Sequence, residues 1–149
     1  AEVERNKERV LLAIPLTYMN KSGQAVKHIL GGRRIKPENL IVVYDDLDIP
    51  LGEIRVKKRG GPGNHKGMIS IVQEISSEEF PRIRIGIGPL SSGENAVHYV
   101  LSRFDRLEAP LLKESLKRAQ EAVELILAGE AEKAMNIYNQ RGKTLFNSP

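Results

Sequence analysis

The chain contains no cysteine. That absence excludes disulfides, thiolate metal sites and a cysteine nucleophile, and it favours a reducing cytoplasm. No apolar run reaches the roughly eighteen residues of a membrane span. The opening "AEVERNKERV" is charged where a secretion signal needs an apolar stretch. No internal repeat is visible, and no linker is long enough to separate domains. These absences leave a cytoplasmic globular chain without membrane contact, expected to form a single domain over 1–149 that ends in a polar tail at 140–149.

Hydrophobic residues make up 40% of the 149 positions and charged residues 28%, enough for one core of ordinary size. The formal net charge of +4 says little about partners by itself, but its distribution says more. Arg55, Lys57, Lys58, Arg59 and Lys66 crowd into one short stretch whose only acid is Glu53. Such a stripe is the footprint of a phosphate-backbone contact.

Hydrophobic periodicity predicts alternating strands and helices. "RVLLAIPL" at 9–16 is a short apolar run closed by a proline, the pattern of a buried strand. "NKSGQAVKHIL" puts Ala25, Val26, Ile29 and Leu30 on one helical face, with Asn20 or Ser22 as N-cap and Gly31-Gly32 as the stop. "NLIVVYDD" is a second strand; "EIRVKK" is a third, with Ile54 and Val56 on one side and a basic outer face. Met68, Ile71, Val72 and Ile75 predict a helix, and "RIRIGIG" predicts a strand with Ile83, Ile85 and Ile87 inward and Arg82 and Arg84 outward. "NAVHYVLSRF" is a short helix, Pro110 sits in the first turn of a long one reaching Gly129, and a last helix covers 130–139. The fold class is therefore α/β, a twisted mixed β-sheet flanked by helices. Sites in such sheets form beyond the carboxyl ends of strands, where the sequence puts "TYMN", "DDLD" and a glycine-rich loop.

That loop, "RGGPGNHKGM", matches neither common phosphate cradle. Lys66 is preceded by His65 instead of glycine and followed by Gly67 instead of a hydroxyl residue, unlike a P-loop, and it also occupies the last glycine position of the dinucleotide fingerprint. Of three histidines, His28 lies on a helix and His98 in a short apolar segment, which leaves His65 in the loop as the functional candidate. Asp45, Asp46 and Asp48 suit a magnesium site, a solvated turn, or an orienting carboxylate behind a histidine, the last best filled by Asp45. Asn20 is a helix cap or a carboxamide donor to substrate. Lys57 and Arg84 are ordinary outward strand residues or the two cations of a phosphate site.

The stretches "PLTYMNKSGQAV", "NLIVVYDDLDIPLGEIRVKKRGGPGNHKGM" and "FPRIRIGIG" closely resemble the bacterial-type peptidyl-tRNA hydrolases, in order and spacing, from Arg9 to about Asn139. The resemblance implies cleavage of the ester between a peptide and the 3′ ribose of tRNA, which recycles tRNA after abortive translation. It implies no metal or organic cofactor, peptidyl-tRNA as partner, and a monomer. By it, Asn20 binds substrate and positions the attacking water, Tyr18 lines the 3′-end pocket, and Asp45 keeps the catalytic histidine basic. His65 borders the peptide and 3′ region and joins Asn20 and Asp45 in the catalytic set, Lys66 beside it is a substrate or tRNA contact, and Lys57 with Arg84 clamps the tRNA 5′-phosphate.

Two departures accompany the likeness. Lys66 stands where the family usually has asparagine, and lysine cannot accept a hydrogen bond. The family's opening "GNPG…TRHNxG" segment, with its general-base histidine, does not occur in this sequence, so the chain is expected to be N-terminally incomplete and a poor catalyst that still binds tRNA. The alternatives are a non-catalytic RNA-binding relative of the splicing-partner type and a metal-dependent nuclease built on the aspartates.

Overall fold

The computed structural model describes residues 1–140, so nearly all of the expected tail at 140–149 lies outside the described residues. Within the expected α/β fold, residues group into two compact units. One comprises Ala1–Ile41 and Lys58–Pro81, the other Val42–Lys57 and the described chain from Arg82 onward.

The first unit opens with a hairpin of β1 (Glu2–Arg5) and β2 (Glu8–Leu11). Asn6 and Lys7 both take left-handed conformations, φ 51° and 65°, as a two-residue turn matched to strand twist requires. The buried strand expected over 9–16 is not found. Pairing stops at Leu11, residues 12–16 have no regular structure, and Ile14 and Leu16 are 87% and 97% exposed. An apolar run becomes a buried strand only where a neighbour takes up its backbone groups, and among the described residues only β1 and Ala1, which exchanges bonds with Leu12, do so.

A 3-10 turn, Met19–Lys21, leads into α1 (Ser22–Arg33). Gly31 and Gly32 do not stop this helix; it ends at Arg34 in the left-handed conformation, with Ile35 N–H donating back to Leu30 O at 2.9 Å. The helix expected after the glycine loop is α2 (Lys66–Ile75), with Met68 and Ile71 buried. The two helices pack where Gly23 meets Ser70. A Cβ on Gly23 would overlap the Ser70 backbone, and Gly23 N–H donates to Ser70 Oγ at 2.9 Å.

The second unit holds the mixed sheet: β3 (Val42–Pro50) parallel to β5 (Arg82–Gly88), with β4 (Ile54–Lys57) antiparallel on the other side of β5. Its short connecting helix is α3 (Ala96–Val100). Against the sheet lie α4 (Glu108–Leu127) and α5 (Ala131–Tyr138). Ile54, Val56, Ile83 and Ile85 form the core with Ala119, Ala122 and Ala134, whose small side chains let the helices come close. Each such isoleucine stabilises the fold by about 1.5–3 kcal/mol. Arg82, expected outward, is 1% exposed, and Leu116, an apolar residue of α4, is 50% exposed.

Candidate active site

In the first unit, Asn20 is exposed on the 3-10 turn and makes no side-chain hydrogen bond among the described residues. The cap reading therefore fails: the N-cap of α1 is Lys21, without a side-chain bond, while Ser22 Oγ donates to Met19 O at 2.8 Å. Tyr18 begins the turn, 80% exposed.

The turn is seated on the amino end of α2 by one glycine. A Cβ on Gly67 would come 2.6 Å from Met19 Sδ and 3.0 Å from His65 Cε1, so a larger residue there would have to displace the Met19 thioether and press on the imidazole. The same fold thus brings the "TYMN" turn and the His65 segment together. Gly60 and Gly63 serve differently, at φ 142° and 60°, shaping the loop before them.

His65 is half-buried and is the N-cap of α2: its Nδ1 accepts from Met68 N–H at 3.2 Å. An accepting Nδ1 carries no proton, so the neutral ring is protonated at Nε2, a donor. Lys66, the first residue of α2, is exposed. A cation there faces the positive end of the helix dipole and destabilises the helix.

In the second unit the aspartates are inside β3, not beyond its end as expected. The register shifts between Asp46 and Pro50, because the backbone there bulges over β5. A Cβ on Gly86 would strike Pro50 O, and one on Gly88 would strike Leu47 O. The carboxyl-end rule also misplaces the glycine loop. β4 runs antiparallel and ends with Lys57 opposite Arg82, the first residue of β5, so the chain leaves at the amino-end rim of the parallel pair.

Asp45 is half-buried and lines a groove of about 380 Å³ with Val43, Ile85, Ile87, Phe104 and Leu112 among its apolar neighbours. Its carboxylate makes no hydrogen bond or ion pair among the described residues, leaving its lone pairs available in apolar surroundings. Asp46 is instead engaged at both oxygens, Oδ1 accepting from Asp48 N–H and Oδ2 from Arg84 Nε, each at 2.8 Å. Burial pushes the neighbouring Tyr44 phenol up, against the opposing pull of Arg84 and Arg82. No group of three carboxylate or imidazole side chains among the described residues is placed to hold a metal ion.

Lys57 and Arg84 do come together, lining one cleft of about 580 Å³ with Asp48, Glu53, Arg55 and Asn139. The basic stripe is partly neutralised: Arg55 pairs with Glu53 at 2.6 Å and Arg59 with Glu79 at 3.4 Å. His28 and His98 are exposed. Sequence reasoning missed the part played by Asp46, which only strand register reveals. It also missed Asn139, whose amide clasps Val56 N–H and C=O at 2.7 and 2.8 Å.

Among the described residues, no helix is long and apolar enough to cross a membrane. Comparison with known proteins gives a concordant picture. The family model described as peptidyl-tRNA hydrolase matches residues 1–145. A peptidyl-tRNA hydrolase of Alkaliphilus metalliredigens is 46% identical over 132 residues, 89% of this chain and 71% of its own length. One from Sulfurihydrogenibium is 47% identical over 131 residues, covering 88% and 69%. The crystal structure of the Acinetobacter baumannii peptidyl-tRNA hydrolase superposes with a TM-score of 0.84 at 36% identity, covering 93% of this chain and 70% of that one. With the motif residues standing in the elements just described, this chain belongs to the peptidyl-tRNA hydrolase family.

Proposed function

We propose that this chain hydrolyses the ester that joins a peptide to the 3′ ribose of tRNA, in the cytoplasm and as a monomer. The reading is supported by Gly67, whose bare α-carbon is approached by Met19 of the turn and by the His65 ring, so that the turn carrying the unengaged Asn20 carboxamide packs on α2, which His65 caps. In the reaction, water oxygen attacks the ester carbonyl carbon while a base removes its proton. The bond from that carbon to the ribose oxygen then breaks, and the oxygen leaves protonated. The products are a peptide carboxylate and a tRNA with a free hydroxyl. Asn20 holds the water and the carbonyl, Tyr18 packs on the terminal nucleoside, and His65 with Lys66 donates to the acyl or 3′ region. Asp45 orients the imidazole that takes the proton and stabilises it once charged. Lys57 and Arg84 hold a phosphate of the tRNA.

On this reading none of His28, His65 and His98 is the general base. Without a general base, turnover falls by about two to four orders of magnitude while tRNA binding persists. The test is cleavage of N-acyl-aminoacyl-tRNA by the 149-residue chain with and without added imidazole, each with and without EDTA. Slow, chelator-insensitive cleavage that rises with imidazole, and does not rise in Asp45→Ala, supports the assignment. Fast cleavage without imidazole would show the base to lie within the chain. Loss with EDTA would favour the metal-dependent nuclease, and binding without cleavage at any imidazole concentration would favour the non-catalytic RNA-binding relative, which Lys66 in place of asparagine also suits.

A further inference from the structure

Arg84 reaches the cleft through a contact that nothing in its own strand explains. Its Nε donates to Asp46 Oδ2 at 2.8 Å, and the two side chains are only 25% and 11% exposed. The other oxygen of Asp46 is held by Asp48 N–H at 2.8 Å, inside the bulged part of β3. The carboxylate is thus anchored to the backbone at one oxygen and grips the guanidinium with the other. A guanidinium held at Nε keeps its two terminal nitrogens as a fork, the geometry that meets two oxygens of one phosphate. Among the described residues that fork makes no hydrogen bond, nor does the ammonium of Lys57, which lines the same cleft. Arg55, the third cation there, is already committed to Glu53 Oε2 and Ile54 O.

We propose that Asp46 is a positioning residue for phosphate recognition: it aims the Arg84 fork into the cleft beside Lys57, and the preference of that pair for the 5′-phosphate monoester over the backbone diesters depends on this aim. The inference rests on the reading of Lys57 and Arg84 as a phosphate site. A free carboxylate near two cations would weaken anion binding, since it cancels one positive charge. Asp46 is useful here because its charge is spent on one nitrogen, at a fixed orientation, and what it gives up in raw attraction it returns as selectivity. A monoester carries more charge and more acceptor oxygens than a diester, so an oriented fork gains most from it, whereas a wandering guanidinium would bind either.

The experiment measures equilibrium binding of the 149-residue chain to an RNA acceptor-stem hairpin carrying either a 5′-phosphate or a 5′-hydroxyl. The wild-type chain is expected to favour the phosphorylated hairpin by about tenfold, the size of one charge-assisted hydrogen-bond pair. In Asp46→Ala that ratio should fall below about threefold, with affinity for the hydroxyl hairpin unchanged or higher because a negative charge is gone. In Asp46→Asn, whose amide oxygen still accepts a bond from Arg84, the ratio should lie between the two. A merely structural role would weaken both hairpins alike and leave the ratio untouched, and that result, in either variant, overturns the proposal. A wild-type ratio near one, with Arg84→Ala equally indifferent, overturns the phosphate site itself, and the role of Asp46 with it.

Discussion

At the scale of single residues, the environment of Tyr138 shows how burial and one partner set a property that sequence cannot display. Its hydroxyl donates to Glu121 Oε2 at 2.8 Å, and Arg118 lies over its ring at 5.6 Å. Burial first, then the hydrogen bond and charge of Glu121, push the phenol from 10.0 up to about 12. A folded-state value above the unfolded one means the folded chain holds the proton more tightly. The associated stability is therefore complete below pH 10 and is lost as pH rises from about 10 to 12. Chemical denaturation of the wild type and Tyr138→Phe across that window should show the wild type losing stability more steeply; parallel curves would mean that the phenol is not held. Asn20 makes the opposite point. A carboxamide ahead of a helix looks like a cap, yet the turn puts the cap position one residue later and leaves the amide for another use.

At the scale of elements, two strands and one helix carry testable strain. The bulge of β3 rests on the bare backbone of Gly86 and Gly88, so Gly86→Ala should destabilise by about 3 kcal/mol or more, because the added methyl meets a carbonyl that cannot rotate away. Urea unfolding measures it, and a cost below about 1 kcal/mol would mean that the bulge moves freely. For α2, Lys66 opposes the dipole, and Lys66→Asn should stabilise by about 0.3–1 kcal/mol. The same variant should weaken RNA binding if the cation serves the substrate. A stabilised variant with undiminished binding would reduce Lys66 to an incidental surface charge.

At the scale of the whole molecule, the governing quantity is the response of RNA binding to salt. Each phosphate contact contributes about 0.9 to the log–log slope on duplex and about 0.7 on single strands. Lys57→Ala should lower the slope by nearly one such increment. Arg84→Ala should lower it by no more, because Asp46 already balances that guanidinium in part. If neither variant flattens the slope, the cleft they line is not where the phosphates bind.

Much of this was legible in the letters, for a physical reason. Amphipathic spacing is local, so the helix expected from Met68, Ile71, Val72 and Ile75 is found as α2, and the alternation of Ile54 with Val56 and of Ile83 with Ile85 gave the core face of the sheet. Motif chemistry is local too, and the likeness of "TYMN", "YDDLD" and the glycine loop to one family held across residues 1–145. What the letters could not carry was pairing. Whether 9–16 finds a strand partner, which aspartate faces Arg84, and which rim the chain reaches after an antiparallel β4 depend on neighbours distant in sequence. Gly67 joins the two kinds of information. Its place in the loop was plain from the sequence, but its function, leaving room for Met19 and His65 beside one α-carbon, exists only once two segments more than a full helix apart are packed together, because a steric vacancy is a property of contacts and not of composition.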